Sequence, residues 1–91
     1  MTKDFKTINQ LIHDGHVEES ICRLEALVSE KNDNDEVYFL LGKAYSKLGN
    51  WSQAIYNYNM ALELNPESPA SEALEQIQAI LEFYNTDLYN P

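Results

Sequence analysis

Apolar residues recur along this chain at three- and four-residue steps, the period of an amphipathic helix. With three glycines and three prolines in the chain, breaks between such runs are few. The clearest run holds Val37, Tyr38, Leu41, Ala44, Tyr45 and Leu48. Asp33, with Glu36 three residues later, predicts its start as a capping box. Gly49 predicts its end, because glycine accepts the left-handed conformation there. Asn50 then caps a second run, with Gln53 at the reciprocal position. That run carries Trp51, Ala54, Ile55, Tyr58, Ala61, Leu62 and Leu64 before Asn65-Pro66 ends it. Residues 33–66 therefore predict an antiparallel helical hairpin with a very short turn.

The N-terminal third repeats this plan with a weaker pattern. Phe5, Ile8, Leu11 and Ile12 form one stripe, which Gly15 breaks. Val17, Ile21, Leu24, Leu27 and Val28 form the next, which fades into the polar stretch 29–34. A fifth helix starts at Ser68-Pro69, a cap followed by proline at the first helical position. Its stripe is Ala70, Ala73, Leu74, Ile77, Ile80, Leu81 and Tyr84, with Glu72 and Glu75 near its positive end. The helix is expected to finish at Asn85, leaving 86–91 as a tail. Phe83, Leu88 and Tyr89 fall off the stripe. Water would not favour them, so the tail either folds back over the cap or groove, the preferred reading, or docks on another copy or a partner.

Gly15 and Gly49 stand 34 residues apart, as do Ile21 and Ile55. Within residues 35–68, Tyr38, the pair Leu41-Gly42, Tyr45, Ala54, Tyr58, Ala61 and Pro66 fall at fixed offsets. This pattern resembles the tetratricopeptide repeat, a 34-residue helix–turn–helix unit. The physics agrees with the resemblance. Gly42 and Ala54 would let two helices approach closely, while Tyr45 and Tyr58 fill the space beside them. At the same offsets, residues 1–34 keep only apolar character and Gly15, as terminal repeats of solenoids often do. In the fifth helix a strict offset would bury Glu72, Glu75 and Gln76. A register two residues later buries Leu74, Ile77 and Leu81 instead. The resemblance implies an all-α, right-handed superhelix: a degenerate repeat at 1–34, a well-matched one at 35–68, a capping helix at 69–85 and the tail at 86–91.

Members of that family bind extended or helical segments of partner proteins in a concave groove lined by the first helix of each repeat. Carried onto this chain, the groove positions of the second repeat are Glu36, Phe39, Lys43, Ser46 and Lys47. Positions 36, 39, 43 and 47 share one helix face on spacing alone. The bland alternative is a solvated face with a half-covered Phe39. The first repeat offers Phe5, Asn9, Ile12 and His13; Asn9 is the plausible polar groove residue, and Phe5 fits core or groove. Relatives that grip chaperone C-terminal carboxylates use a set of Lys, Asn and Arg residues. Here Asn9 matches one position, Phe5 replaces a Lys, Leu40 replaces an Asn, and the last helix lacks Lys and Arg. That clamp is not expected.

Charge changes the choice of partner. Fifteen acids oppose six Lys plus Arg in 91 residues, a net −9, and all six bases precede residue 48. Such a chain repels phosphate backbones and anionic membrane surfaces, so neither nucleic acid nor membrane is expected as a partner. With 44% of residues hydrophobic, it is also not a disordered acidic tail. A single Cys22 cannot form an internal disulfide, and the first residues show no secretory pattern, so a cytoplasmic setting is expected.

No enzyme chemistry is legible. His13, His16 and Cys22 straddle a glycine turn at no standard zinc spacing, and the cysteine is expected to be packed or half-buried. Asp33 and Asp35 hint at a calcium loop, but neither the sixth-position glycine nor the twelfth-position Glu follows. No phosphate-cradling loop or activated nucleophile is present, and no cofactor is expected. The expectation is a protein-binding module, monomeric or weakly dimeric. The alternative is a structural unit that self-associates through its cap.

Overall fold

The computed structural model describes residues 5–31 and 34–89, with side chains as far as Phe83. Five helices follow in order: α1 (Phe5–His13), α2 (Val17–Ser29), α3 (Asp35–Lys47), α4 (Trp51–Leu64) and α5 (Ala70–Tyr89). There is no strand among the described residues. Each helix packs on the next, and α1 also touches α3, so the chain is a stack of antiparallel hairpins. Within it, α3 and α4 make the largest contact.

The two glycine turns are built alike. Gly15 (φ +96°) and Gly49 (φ +74°) take the left-handed conformation that a Cβ would oppose. After each, the next amide reaches back five residues, His16 N to Leu11 O at 2.8 Å and Asn50 N to Tyr45 O at 2.9 Å. This satisfies carbonyls that the helix end leaves open. The end of α2 has no glycine, and Lys31 (φ +59°) adopts the same conformation there.

The caps of α4 and α5 follow the sequence. Asn50 Oδ1 accepts from Gln53 N at 3.3 Å, and Ser68 Oγ accepts from Ala70 N at 3.1 Å. The cap of α3 does not. Its N-cap is Asn34, whose Oδ1 accepts from Val37 N at 3.1 Å; Asp33 lies outside the described residues. Asn serves as well as Asp at this position, so a sequence with both acceptors side by side does not choose between them. Asn65 does more than end α4: its Nδ2 donates to Asp35 Oδ2 at 3.1 Å, and its Oδ1 accepts from Glu67 N at 3.1 Å. One side chain thus fastens the end of the repeat to the start of its first helix.

Leu24, Val37, Ala44, Ala54 and Ala61 are fully buried, and Ile8, Ile12, Leu41 and Tyr58 nearly so. Each large aliphatic side chain removed from water in this way contributes about 1.5–3 kcal/mol. Phe5 is partly buried against this core. The ends of the predicted stripes are less covered, for Leu48, Leu64 and Ile80 are exposed. Gly42 shows why a side chain is missing at its position. An ideal Cβ there would stand 2.5 Å from Cδ1 and Cε1 of Tyr58.

In α5, Ile77 is buried and Leu74 and Leu81 are half-buried, as the shifted register required. The best match is nevertheless different. Ala70 and Ile77 are the residues most buried on α5, as Val37 and Ala44 are on α3, which is a step one residue shorter than 34. Small Ala70 and Ala73 allow α5 to seat closely on α4 at this register. The helix also runs to Tyr89, beyond the expected end at Asn85. No Gly or Pro interrupts residues 81–89, so the backbone continues as helix and does not turn back as the tail was expected to do. Asn90 and Pro91, like the side chains of Tyr84, Leu88 and Tyr89, lie outside what is described.

Candidate functional site: a groove across α1, α3 and α5

The first helices of successive hairpins lie on one side of the stack and enclose an open hollow of about 770 Å³. Asn9, Gln10, Ile12 and His13 contribute from α1, and Phe39, Lys43, Ser46 and Lys47 from α3. Tyr58 of α4 shows through at the floor, and Pro69, Glu72, Ala73 and Gln76 form the far wall. Five of the six residues singled out from the sequence, Asn9, Phe39, Lys43, Ser46 and Lys47, are therefore brought together. Glu36 is not: it is exposed in the first turn of α3, outside the lining. Phe5 is likewise absent from the lining.

Lys43 is the organising cation. Its Nζ donates to Asn9 Oδ1 at 2.7 Å, a bond between equivalent positions 34 residues apart. The same ammonium stands 5.8 Å from the centroid of the Phe39 ring, a cation–π distance. Phe39 in turn tilts at 47° against Tyr58, centroids 5.7 Å apart, which fixes its ring over the core. Lys47 follows one turn later on the same face. Neither lysine makes an ion pair with a described residue; Arg23 pairs with Glu19 far from the groove, on α2.

Ser46 is half-buried, with its Oγ fully covered and no partner of acceptable hydrogen-bond geometry. It lies close enough to the Tyr58 phenol to oppose part of the upward shift that burial imposes on that group. The contact is a proximity effect, not a formed bond, because the oxygen has no correctly aligned neighbour. Tyr45, on the other side of α3, is also held above the usual phenol range, first by burial and then by the carboxylate of Glu25. Its hydroxyl donates to Glu25 Oε2 at 3.3 Å. Both phenols stay protonated at neutral pH, so the groove presents neutral Tyr58 beside cationic Lys43 and Lys47.

The α5 wall was not read from the sequence. The signal was present in the shorter step, which aligns Pro69, Glu72 and Gln76 with Glu36, Phe39 and Lys43. Other chemistry does not gather. Among the described residues no three His, Cys, Asp or Glu side chains could hold a metal, and Cys22 is exposed, not packed. No helix is long and apolar enough to cross a membrane among the described residues.

Stacked helix–turn–helix units with a hollow along their first helices define a helical-repeat protein. A family model described as "Tetratricopeptide repeat" matches residues 35–68. The solution NMR structure of the Bacteroides fragilis protein BF1650 is similar over 98% of this chain and 91% of its own, with 43% identity and a TM-score of 0.84. No curated protein matches. The chain belongs to the tetratricopeptide-repeat family, an all-α superhelix whose repeats mediate protein–protein interaction.

Proposed function

We propose that this protein binds a segment of a partner protein along the groove, and that the segment is acidic with one apolar side chain. The observation that carries this reading is the constellation of Lys43, Asn9 and Phe39. An ammonium held by Asn9 Oδ1 at 2.7 Å and seated over an aromatic ring is pre-positioned for a carboxylate. Lys47 adds a second cation. Phe39 and the nearby Ile12 offer the apolar contact. The groove holds Lys43 and Lys47 against Glu72, a local excess of positive charge in a chain of net −9.

Selection of peptides from a random library on the intact protein tests the idea. Enrichment of Asp and Glu beside one large apolar residue is expected. Lys43→Glu with Lys47→Glu should then weaken the selected peptides by about tenfold or more. Selected sequences without acid enrichment, or unchanged affinity in that variant, would refute the assignment. A net charge of −9, with two of the six bases gathered in one groove, and a lone exposed thiol suit a cytoplasmic adaptor without nucleic acid or membrane partners. A second reading, weak self-association as a homodimer, is favoured by exposed Phe83 and Ile80 on α5. Light scattering over a dilution series separates it from a monomer.

A further inference from the structure

A second hollow, of about 480 Å³, lies along the other flank of α5. Ile55 of α4 and Leu74, Ile77 and Leu81 of α5 line it, with Gln78 and Glu82 at its edge. In this stack α3 is covered by α2 on one side and α4 on the other, whereas α5 packs chiefly on α4. Its far flank has no described element on it. The residues there follow helical packing steps, 74, 77 and 81, and form a ridge-and-groove surface of the kind that receives another helix.

Charge indicates what that helix carries. Every charged residue from Leu48 onward is acidic: Glu63, Glu67, Glu72, Glu75, Glu82 and Asp87. On α5, Glu75, Gln78 and Glu82 form the stripe next outward from the apolar one, with Gln78 Nε2 donating to Glu82 Oε2 at 3.5 Å. A second copy meeting this face across a two-fold axis would bring two base-free acidic halves together, which repels. A helix flanked by Lys and Arg is attracted. We infer that this α4–α5 face docks a basic amphipathic helix of a partner protein. This surface is independent of the lysine groove, and prefers the opposite charge.

The test uses a fluorescent 18-residue Leu/Lys amphipathic peptide, a scrambled peptide of the same composition, and a Leu/Glu peptide with the same apolar stripe. Each is titrated into the full chain, and amide chemical shifts map the contact. The Leu/Lys helix should bind at least about tenfold more tightly than the scramble, and the Leu/Glu peptide, whose chemistry suits the lysine groove, should leave the amides of Leu74, Ile77 and Leu81 unshifted. Shifts should cluster at Ile55, Leu74 and Leu81. Leu81→Gln should weaken binding about fivefold, and so should Glu75→Lys with Glu82→Lys, which alters only exposed side chains and keeps the test valid if Leu81→Gln unfolds. Lys43→Glu with Lys47→Glu should leave this binding intact. Equal binding of the scramble, or shifts confined to the α1–α3 groove, would overturn the inference. So would a concentration-dependent dimer with shifts at Leu74 and Leu81, which would make a second copy the occupant.

Discussion

Replacing Gly42 with alanine probes the packing on which the groove rests. Alanine is the better helix former, and an interior Gly→Ala change alone would stabilise α3 by about 1 kcal/mol. The structure predicts the opposite outcome. The new Cβ would meet Tyr58 Cδ1 and Cε1 at 2.5 Å and Cζ at 2.8 Å, well inside ordinary carbon–carbon contact. The ring cannot swing away freely. Tyr58 is only 3% exposed, and Phe39 leans against it at 5.7 Å. Overpacking of this kind costs about 1–3 kcal/mol, and a hemmed ring belongs at the upper end. After the propensity gain, a net loss of about 2 kcal/mol remains, or roughly 8–16 °C in Tm for a domain this small. Urea unfolding followed by circular dichroism measures it. The control is the same substitution in a Tyr58→Leu background, where the ring is gone and Gly42→Ala should recover the propensity gain of about 1 kcal/mol, giving a coupling of about 3 kcal/mol. A neutral or stabilising Gly42→Ala, or an undiminished cost in the Tyr58→Leu background, would refute the close-approach argument.

Other expectations follow from single interactions. Lys31→Gly should stabilise the protein by about 0.5 kcal/mol, since relief of a left-handed non-glycine residue outweighs the added freedom of the unfolded chain; chemical denaturation reads this directly. Asn65→Ala removes the bond to Asp35 and the local bond from Glu67 N, and should cost about 1 kcal/mol in the same assay. Tyr58 is raised in the folded state by burial, so the unfolded chain releases this proton first, at about pH 10. The stability linked to its proton is therefore complete below that pH and falls as pH rises through the folded value. Tyr58→Phe should show a shallower loss between pH 9 and 11 than the parent protein, and equal slopes would contradict the burial assignment.

Much of the fold was legible because the chain states it twice. Gly15 and Gly49 announce equivalent turns, and Leu41-Gly42 with Ala54 and Tyr58 specify one close helix contact completely. The lining of the groove on α1 and α3 followed, because 9, 39, 43 and 47 are set by the helical period once the repeat is recognised. Three things were not legible. The capping asparagine of α3 competes with its neighbour Asp33, and propensity does not distinguish them. The α5 wall depended on a register step of 33, whereas the apolar stripe had suggested a step two residues longer than 34; the two differ by three residues, close to one helical turn, so much the same apolar face serves both. Only burial of Ala70 and Ile77 chooses between them. The end of α5 was missed for a different reason: Asn85 and Thr86 are modest helix formers, but nothing after them forbids the helix.

The uneven charge then acquires a structural meaning. A net −9 would predict a protein that avoids acids everywhere, if the charge were spread evenly. At about 0.15 M salt the screening length is about 8 Å, so a ligand responds to the groups that border it and only weakly to the remote acids. In the α1–α3 groove those groups are Lys43 and Lys47 against Glu72, the first lysine tied to Asn9 and lying over Phe39. At the edge of the α4–α5 hollow the charge is that of Glu82, with Glu75 two turns earlier on α5. With both surfaces proposed as docking sites, one partner segment would be sorted to each by sign, although α5 borders both hollows. The two sites also differ in their response to salt. At low salt the remote acids reach the groove and weaken its attraction for acidic segments, while they strengthen the hold of the far hollow on basic ones. Raising salt should therefore weaken basic-helix docking more steeply than acidic-peptide binding. Parallel titrations of the two ligands at 0.05 and 0.3 M salt test this, because acidic-peptide binding that strengthened with salt would mean that the charge acts as one undivided body.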